Sequence, residues 1–287
     1  MGVYLQLMRT KQWMKNLFIF TPMIFALQLF DLPSLWASFM AFVSFSLTAS
    51  SLYIFNDIRD IKVDRLHPRK KFRPIASGKI SVNSSYRISL ALAVLGLSLG
   101  AFLDVNNLLV LLCYILLNVA YTLKLKHIAL IDIFCIALGF VLRLFMGGYA
   151  TSIKLSHWII VMTFLLAIFL ALAKRRDDVI IFLNGGEVRK SIEGYNLKLI
   201  DYSMALSAAV VLVAYLMYCM SVEVINKIGS SYIYITFPFV LLGLMRYLQI
   251  TFVLEDSGSP TEILLKDRFM QLTLVGWMLT FVLLMYI

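Results

Sequence analysis

The stretch FNDIRDIKVDRLHPRKKFRPIASGK, at positions 55–79, is a polar segment in an otherwise apolar chain. Asp57, Asp60 and Asp64 follow the spacing i, i+3, i+7, which places three carboxylates within a sector of about 60° on a helix. Three carboxylates on one face repel one another unless a cation lies among them, and Mg²⁺ prefers such oxygen ligands. The spacing therefore predicts a magnesium site. The alternative is an ordinary charged loop with incidental acidic residues.

The second half of this stretch is basic. Its cationic side chains are Arg65, Arg69, Lys70, Lys71, Arg73 and Lys79. Cationic side chains suit anions, and arginine in particular forms paired hydrogen bonds to phosphate. Carboxylates for a metal beside cations for phosphates predict a site that handles a diphosphate.

Composition predicts an all-α polytopic membrane protein. Hydrophobic residues make up 61% of the 287 residues and charged residues only 15%, which is not the balance of a soluble globular domain. The net charge of +10 would suit nucleic acid, but the basic residues cluster in short segments between apolar runs, as the positive-inside rule produces. We therefore expect no nucleic-acid partner. The three cysteines have neither pairing nor metal-ligand spacing and are expected to be buried hydrophobes.

Nine apolar runs are long enough to predict membrane spans. They cover approximately 17–31, 35–56, 84–103, 106–124, 130–151, 155–174, 200–222, 231–252 and 268–287. Long polar loops follow the second and sixth runs, and nearly all Lys and Arg lie on the side of these loops and of the N-terminus. This asymmetry predicts a cytoplasmic N-terminus and an external C-terminus. The chain is expected to be one domain, 1–287, with a loose internal duplication of helices 1–4 and 5–8.

Two ionisable residues lie within the fifth predicted span. Arg143 stands at the centre of an apolar run, eleven residues after Asp132, and ionisable residues inside spans are functional candidates. Lys124 and Lys126 end the preceding helix, so we expect an anion site here. The alternative is a structural contact between helices, although eleven residues rise about 16 Å, too far for a direct pair of Asp132 with Arg143.

Further polar groups precede the first span and follow the sixth. Lys15 and Asn16 are either an interfacial anchor or a phosphate-contacting rim. The run 174–178, Lys-Arg-Arg-Asp-Asp, is expected to end the sixth helix. It is either a topology signal or a second phosphate-binding edge. The late cluster of Glu262, Asp267 and Arg268 suggests no specific role.

Six motifs along the chain resemble the UbiA-type intramembrane prenyltransferase superfamily. Their combination is similar to its decaprenyl-phosphate phosphoribosyltransferase branch. The motifs are Arg9-x-x-Gln12-Trp13-x-Lys15-Asn16, Asn56-Asp57-Ile58-x-Asp60 through His67-Pro68, Phe72-Arg73-Pro74-Ile75-Ala76-Ser77-Gly78, Tyr121-Thr122-Leu123-Lys124-Leu125-Lys126, Gly139-Phe140-Val141-Leu142-Arg143 and Ala173-Lys174-Arg175-Arg176.

The resemblance implies a nine-helix bundle whose central cavity opens to the cytoplasm, in the bacterial inner membrane. It implies transfer of a 5-phosphoribosyl group from phosphoribosyl diphosphate to a polyprenyl phosphate, with Mg²⁺, for cell-envelope glycan precursors. Asp57, Asp60 and Asp64 would hold the metal, and Asp57, Asp60 and Arg143 would be catalytic. The substrate-binding residues would be Lys15, Asn16, Asn56, Arg73, Tyr121, Lys124, Lys126, Asp132, Lys174, Arg175 and Arg176. Whether the chain forms a homo-oligomer stays open.

Two other functions remain as alternatives. A conventional UbiA-type enzyme would move a prenyl group from prenyl diphosphate to an aromatic acceptor, but such enzymes carry a second aspartate-rich motif where this chain has the cation-rich run 174–178. A lipid or ion transporter would concentrate ionisable residues near the membrane midplane. Here most charges are expected at one cytoplasmic mouth.

Overall fold

The computed structural model describes residues 2–66, 70–186, 190–254 and 260–286, and over these ranges the chain is helical without any strand. The α-helices are α1 (Val3–Leu7), α2 (Thr21–Phe25), α3 (Leu32–Arg59), α4 (Ile61–Leu66), α5 (Val82–Leu103), α6 (Val105–Leu123), α7 (Ile131–Ala150), α8 (His157–Leu183), α9 (Leu197–Met220), α10 (Val222–Ile228), α11 (Phe237–Phe252), α12 (Pro260–Lys266) and α13 (Arg268–Tyr286). Five 3₁₀ helices accompany them: Thr10–Phe20, Lys70–Phe72, Leu125–His127, Lys190–Gly194 and Ile233–Thr236.

Short polar side chains set the beginnings of the long helices. Asp31, Ser81, Ser156 and Asn196 each accept a hydrogen bond from the backbone N–H three residues later. Such N-caps satisfy one of the amide groups that a helix leaves unpaired at its start. The apolar runs between these caps contain no breaker strong enough to stop the helix, so each run forms one continuous element.

Seven helices in the described part of the chain are long and apolar enough to cross a membrane. They are Leu32–Arg59, Val82–Leu103, Val105–Leu123, Ile131–Ala150, His157–Leu183, Leu197–Met220 and Ile233–Phe252. The first predicted span, 17–31, is instead the end of a 3₁₀ helix followed by the short α2. The ninth corresponds to α13, whose apolar part, Arg268–Leu284, is shorter than the other seven. The count of nine stays a prediction.

Two helices extend farther than their apolar runs. α3 continues to Arg59, so that Asp57 lies inside a helix, and α8 continues to Leu183. The run 174–178 therefore lies within α8, and the prediction that it ends the sixth helix is wrong. Charged residues do not by themselves stop a helix, and α8 ends only where Asn184 and Gly185 supply a turn.

The first of two compact units comprises Met1–Lys126 and Leu138–Leu155. Small polar residues on α3 allow its close packing against α5: the Ser44 hydroxyl donates to the Gly96 carbonyl at 2.7 Å. Small residues and interhelical hydrogen bonds of this kind drive helix packing where the surroundings are as apolar as the helix. The core beside them is built around Phe45, Leu111 and Met146.

The second unit comprises His127–Ala137 and Ser156–Ile287. Its buried core includes Phe169 of α8 and Tyr215 of α9. The Tyr215 hydroxyl accepts from Trp277 of α13 at 2.7 Å and shares a 2.6 Å hydrogen bond with Thr236. The two units approximate the predicted halves, except that most of α7 belongs to the first unit. The single domain 1–287 stays a prediction.

Candidate active site

The first group of charged side chains lies where α3 passes into α4. Asp60 is the C-cap of α3. Its N–H donates to the Asn56 carbonyl at 2.9 Å, and its carbonyl accepts from Asp64 N–H at 2.8 Å. Because these bonds continue the helical pattern across the junction, Asp57 and Asp64 remain close enough to share one partner.

That shared partner is Arg73. Its Nη1 donates to Asp57 Oδ1 at 3.0 Å and to Asp64 Oδ2 at 2.6 Å. Asp57 Oδ1 also accepts from Arg9. The two aspartates are buried, at 3% and 2% exposure, whereas the Arg73 side chain is 26% exposed. Each buried carboxylate thus faces a cation, and the Arg73 cation remains accessible from outside the protein.

Asp60 pairs with a different element. Lys126, from the 3₁₀ helix Leu125–His127, donates to Asp60 Oδ1 at 2.8 Å, and Asn56 Nδ2 donates to Asp60 Oδ2 at 3.0 Å. Asp60 is the most exposed of the three aspartates, with 31% of its side chain accessible. The structure therefore brings together six residues that the sequence analysis predicts to bind metal or substrate: Asn56, Asp57, Asp60, Asp64, Arg73 and Lys126.

This acidic group has the donor chemistry of a magnesium site. Within the described ranges, no three His, Cys, Asp or Glu side chains are arranged to hold a metal ion, and each aspartate of the group faces a basic side chain instead. Carboxylate oxygens are nevertheless the ligands that Mg²⁺ prefers. Arg73 places one cation between Asp57 and Asp64. The donor set therefore suits the ion in its chemistry, while its carboxylates pair with basic side chains here.

A long 3₁₀ helix, Thr10–Phe20, borders the group. Since a 3₁₀ helix has three residues per turn, Trp13, Asn16 and Ile19 lie on one line. Trp13 Nε1 donates to the Ser50 hydroxyl at 3.0 Å, Asn16 Nδ2 donates to the Ser46 hydroxyl at 2.8 Å, and Ile19 is fully buried. This line of side chains attaches the segment to α3.

Arg9 stands at the start of the same segment. Its backbone is left-handed, with φ 51°, a conformation that side chains other than glycine adopt rarely. Its guanidinium contacts Asp57 and lies 5.5 Å from the centre of the Tyr53 ring. No sequence pattern had assigned Arg9 to the aspartates, because the contact joins residues 48 positions apart.

Arg143 is buried, with 4% exposure, in the first unit. Its Nε donates to Asn16 Oδ1 at 2.8 Å, its Nη1 to the Gly139 carbonyl at 2.7 Å, and its Nη2 to the Tyr114 hydroxyl at 3.2 Å. Its Cζ also lies 4.8 Å from the centre of the Phe45 ring. Among the described residues no carboxylate pairs with it, so its charge is stabilised by dipoles and aromatic faces.

The remaining nominated residues of the first unit are near its surface. Lys15 and Lys124 are exposed, and Tyr121 is half-buried. Lys124 is the C-cap of α6, where a cation also complements the helix dipole. His67 and Pro68, which belong to the quoted motif, lie outside the described residues.

A second charged network lies in the second unit, around Asp132. The carboxylate is fully buried and accepts from Arg175 Nε at 2.6 Å and from the Tyr195 hydroxyl at 2.6 Å. Arg175 is 1% exposed and also pairs with Asp178. Asp132 therefore pairs with Arg175 rather than with Arg143. This network connects α7, α8 and the segment after Lys190–Gly194.

Tyr195 is a member of this network that sequence reasoning missed. Its hydroxyl donates to Asp132 and accepts from the Leu130 N–H at 2.7 Å. Burial, together with the hydrogen bond to Asp132, raises the pKa of Tyr195 above its ordinary value, so the hydroxyl stays protonated and remains a donor. No local signal marks this tyrosine, since its partner is 63 residues away.

Two further ion pairs occupy the second unit. Arg176 Nε donates to Asp201 Oδ1 at 2.8 Å, while the neighbouring Lys174 is exposed. Arg246 Nη2 donates to Asp267 Oδ2 at 2.7 Å, and this guanidinium lowers the pKa of the Asp267 carboxyl. Asp267 also accepts from the Met270 N–H at 2.8 Å, so it caps α13. This gives part of the late acidic cluster a structural role; the side chain of Glu262 lies outside the described set.

The chain is similar to known proteins over nearly its whole length. It is 34% identical to the decaprenyl-phosphate phosphoribosyltransferase of Mycolicibacterium smegmatis over 281 residues, covering 94% of this chain and 88% of that protein. It is 30% identical to the protein of the same name from Corynebacterium glutamicum, covering 98% and 86% respectively. A solved UbiA homologue from Archaeoglobus fulgidus, bound to DMAPP and Mg²⁺, shares the fold with a TM-score of 0.75, 18% identity and full coverage of both chains. The profile of the UbiA prenyltransferase family matches residues 17–273, and the chain belongs to that family.

Proposed function

We propose that this protein transfers a 5-phosphoribosyl group from phosphoribosyl diphosphate to a polyprenyl phosphate. An oxygen of the lipid phosphate attacks the anomeric carbon of the ribose, and the bond from that carbon to the diphosphate breaks. Diphosphate leaves with the electron pair, so no oxidant or reductant is needed. The names and chain-long similarity of the mycobacterial and corynebacterial relatives support this assignment.

The observation that carries the proposal is the pairing of every aspartate in the first group with a basic side chain. Arg73 bridges Asp57 and Asp64, and Lys126 pairs with Asp60. A site that holds three carboxylates and several cations at once suits a metal together with phosphates. Prenyl transfer requires one diphosphate, whereas phosphoribosyl transfer requires a diphosphate, a sugar phosphate and a lipid phosphate.

Asp57, Asp60 and Asp64, with Asn56 assisting, would hold Mg²⁺, which when bound would neutralise charge on the diphosphate leaving group. Arg73 and Lys126, which lie against these carboxylates, would contact phosphate oxygens of the substrates. The lipid phosphate is an anionic nucleophile at neutral pH and needs no strong general base. The protein would therefore act mainly by positioning and electrostatics.

We assign phosphate contacts to four cations. Arg73, Lys15 and Lys124 are accessible, and Lys126, although buried, pairs with Asp60 of the aspartate group. Arg143 is buried and bonded to Asn16, so we assign it the role of holding the Thr10–Phe20 segment in place. Its charge also favours anions nearby.

Arg175 and Asp132, both predicted to bind substrate, pair with each other, and each also has a further partner, Asp178 and Tyr195 respectively. We assign them the positioning of the segment that follows Lys190–Gly194. The polyprenyl tail would lie in an apolar groove open to lipid.

We further propose that the protein is a nine-span protein of the bacterial inner membrane with its site at the cytoplasmic face. The distribution of Lys and Arg supports a cytoplasmic N-terminus. A soluble sugar diphosphate would then reach the site from the cytoplasm, while the lipid phosphate enters from the membrane. Topology reporters fused after residues 79 and 153 would test this: cytoplasmic and external signals respectively are expected, and the reverse would refute the orientation.

Prenyl transfer to an aromatic acceptor is the second candidate, favoured by family membership. The experiment that separates the two uses the purified full-length chain in detergent with Mg²⁺. One reaction contains radiolabelled phosphoribosyl diphosphate and decaprenyl phosphate, and the other contains a labelled prenyl diphosphate and a quinone precursor. Label in the lipid fraction of the first reaction alone is expected. Product in the prenyl diphosphate reaction alone would refute phosphoribosyl transfer. Product in either reaction would exclude transport as the sole activity, because detergent provides no sealed compartment.

A further inference from the structure

Three buried polar atoms of the second unit have no hydrogen-bond partner among the described residues. They are Arg176 Nη1, the Tyr247 hydroxyl and the Thr251 hydroxyl. The three residues are 7%, 3% and 0% exposed. Buried polar groups in proteins are nearly always hydrogen-bonded, and leaving one unpaired is unfavourable. A concentration of such atoms on two helices therefore indicates a missing partner.

Two aromatic contacts link α8 and α11 beside the residues that carry these atoms. Tyr247 and Thr251 are one turn apart and both lie on the buried face of α11. The Phe169 ring of α8 lies 5.2 Å from the Tyr247 ring, and about two turns later the Cζ of Arg176 lies 5.4 Å from the Phe252 ring. The side chain of Asp177 is also within electrostatic range of Tyr247.

The chemistry of the three atoms determines which kind of hydrogen-bond partner they would take. A guanidinium can only donate, and both hydroxyls are able to donate, so the missing group is an acceptor. Asp201 already engages Nε of Arg176 at 2.8 Å, which fixes the guanidinium and leaves Nη1 for another partner. Asp177 and Asp201 bring two negative charges against the single positive charge of Arg176, so an oxyanion would be held here by directed hydrogen bonds and not by net charge.

We infer that Arg176, Tyr247 and Thr251 form a phosphate-binding site that takes a phosphate group of a substrate. This inference rests on the proposed function, which supplies two sources of the same chemistry: the lipid phosphate and the phosphates of phosphoribosyl diphosphate. Neither Tyr247 nor Thr251 carries a sequence signal, since both look like ordinary residues of an apolar helix.

Two substitutions separate binding from structure. Tyr247→Phe and Thr251→Val each remove an unpaired hydroxyl while preserving shape. Removing an unpaired buried polar group is neutral or stabilising, so the thermal midpoint should stay the same or rise. If the hydroxyls bind phosphate, each substitution should raise the KM of one substrate about tenfold, the effect of losing one hydrogen bond to a charged group. Tyr202→Phe and Thr273→Val are matched controls in the same unit, because Tyr202 is exposed and the Thr273 hydroxyl is already bonded to the Phe269 carbonyl.

The experiment measures the thermal midpoint and initial rates of the full-length chain in detergent. Each substrate is varied while the other saturates. A raised KM for decaprenyl phosphate alone assigns the site to the lipid head group, and a raised KM for phosphoribosyl diphosphate alone assigns it to the sugar donor. Unchanged KM values for both substrates would overturn the inference and leave ordered water as the partner. A lowered midpoint without a change in KM would do the same and show a structural role.

A binding measurement tests the phosphate-binding site independently of the proposed function. Calorimetric titration of the wild type and of the Tyr247→Phe/Thr251→Val double variant uses phosphoribosyl diphosphate and farnesyl phosphate as probes. If the wild type transfers no phosphoribosyl group but the double variant binds one probe at least tenfold more weakly, the site stands and the proposed function fails. If transfer occurs and neither binding nor KM responds, the proposed function stands and the site fails.

Discussion

Gly147→Ala tests whether the Thr10–Phe20 segment must lie where it does for activity. A methyl group at Gly147 would stand 2.9 Å from the carbonyl carbon of Ile19, with the carbonyl oxygen nearer still. For the carbonyl carbon of Ile19 to lie 3.4 Å from the new methyl group, which is ordinary contact, it must move by about 0.5 Å. The carbonyl oxygen of Ile19 must move farther. The backbone at Ile19 must therefore shift by at least about 1 Å.

That displacement would pass along the 3₁₀ helix to Asn16, one turn earlier, which holds Nε of Arg143 at 2.8 Å. A misplacement of about 1 Å near a catalytic site can lower turnover on the order of 100-fold, and overpacking lowers stability by about 1–3 kcal/mol. We expect a fall of that size in the rate of phosphoribosyl transfer, with a lower thermal midpoint in detergent.

Gly243→Ala is the matched control for this prediction. A methyl group there would meet only Thr273 Cγ2, at 3.7 Å, which is ordinary contact. Alanine in a helix interior is favoured over glycine by about 1 kcal/mol, so this variant should be at least as stable as the wild type and equally active. Wild-type kinetics and an unchanged midpoint for Gly147→Ala would refute the reasoning.

Four further substitutions test the first charged group, Arg143 and the network around Asp132. Asp57→Asn and Asp60→Asn should each abolish turnover at every Mg²⁺ concentration while the protein still folds. The control is Asp104→Asn, which should keep its activity because asparagine can also serve as the N-cap of α6. Full Mg²⁺-dependent activity in both Asp57→Asn and Asp60→Asn would eliminate the metal assignment. Arg143→Ala should lose activity without altered topology, as read from rates and from reporter fusions, and unchanged kinetics would make Arg143 purely structural. Tyr195→Phe leaves Asp132 and the Leu130 N–H each short of a partner and should lower stability by about 1–3 kcal/mol; an unaltered midpoint would contradict this.

Local patterns predicted the helices and the first charged group well. Apolar runs placed most long helices to within a few residues, and the polar stretch at 55–79 contains three aspartates and Arg73 that the structure brings together. Both results depend on information that lies close together in the chain, except that Asp60 pairs with the distant Lys126. Helical periodicity and the spacing of acidic residues are local, so a single sequence contains them.

Other features depend on contacts between distant residues, which no local pattern shows. The pairing of Arg9 with Asp57 and of Asp132 with Tyr195 joins residues 48 and 63 positions apart. The continuation of α8 through 174–178 was missed because charged residues outside an apolar run resemble a loop. The 3₁₀ helix was missed because its side-chain spacing differs too little from that of an α-helix to be read from eleven residues.

The 3₁₀ geometry of Thr10–Phe20 limits how far the length of this segment can vary. An α-helix repeats every 3.6 residues, so an inserted residue rotates the downstream side chains by about 100°, but in a 3₁₀ helix the rotation is about 120°. Between Trp13 and Asn16, only insertions in multiples of three would keep both side chains facing α3. Each such insertion would also lengthen the segment by about 6 Å. The spacing of these two residues should therefore resist insertions and deletions more than the turn at Asn184 and Gly185 that ends α8.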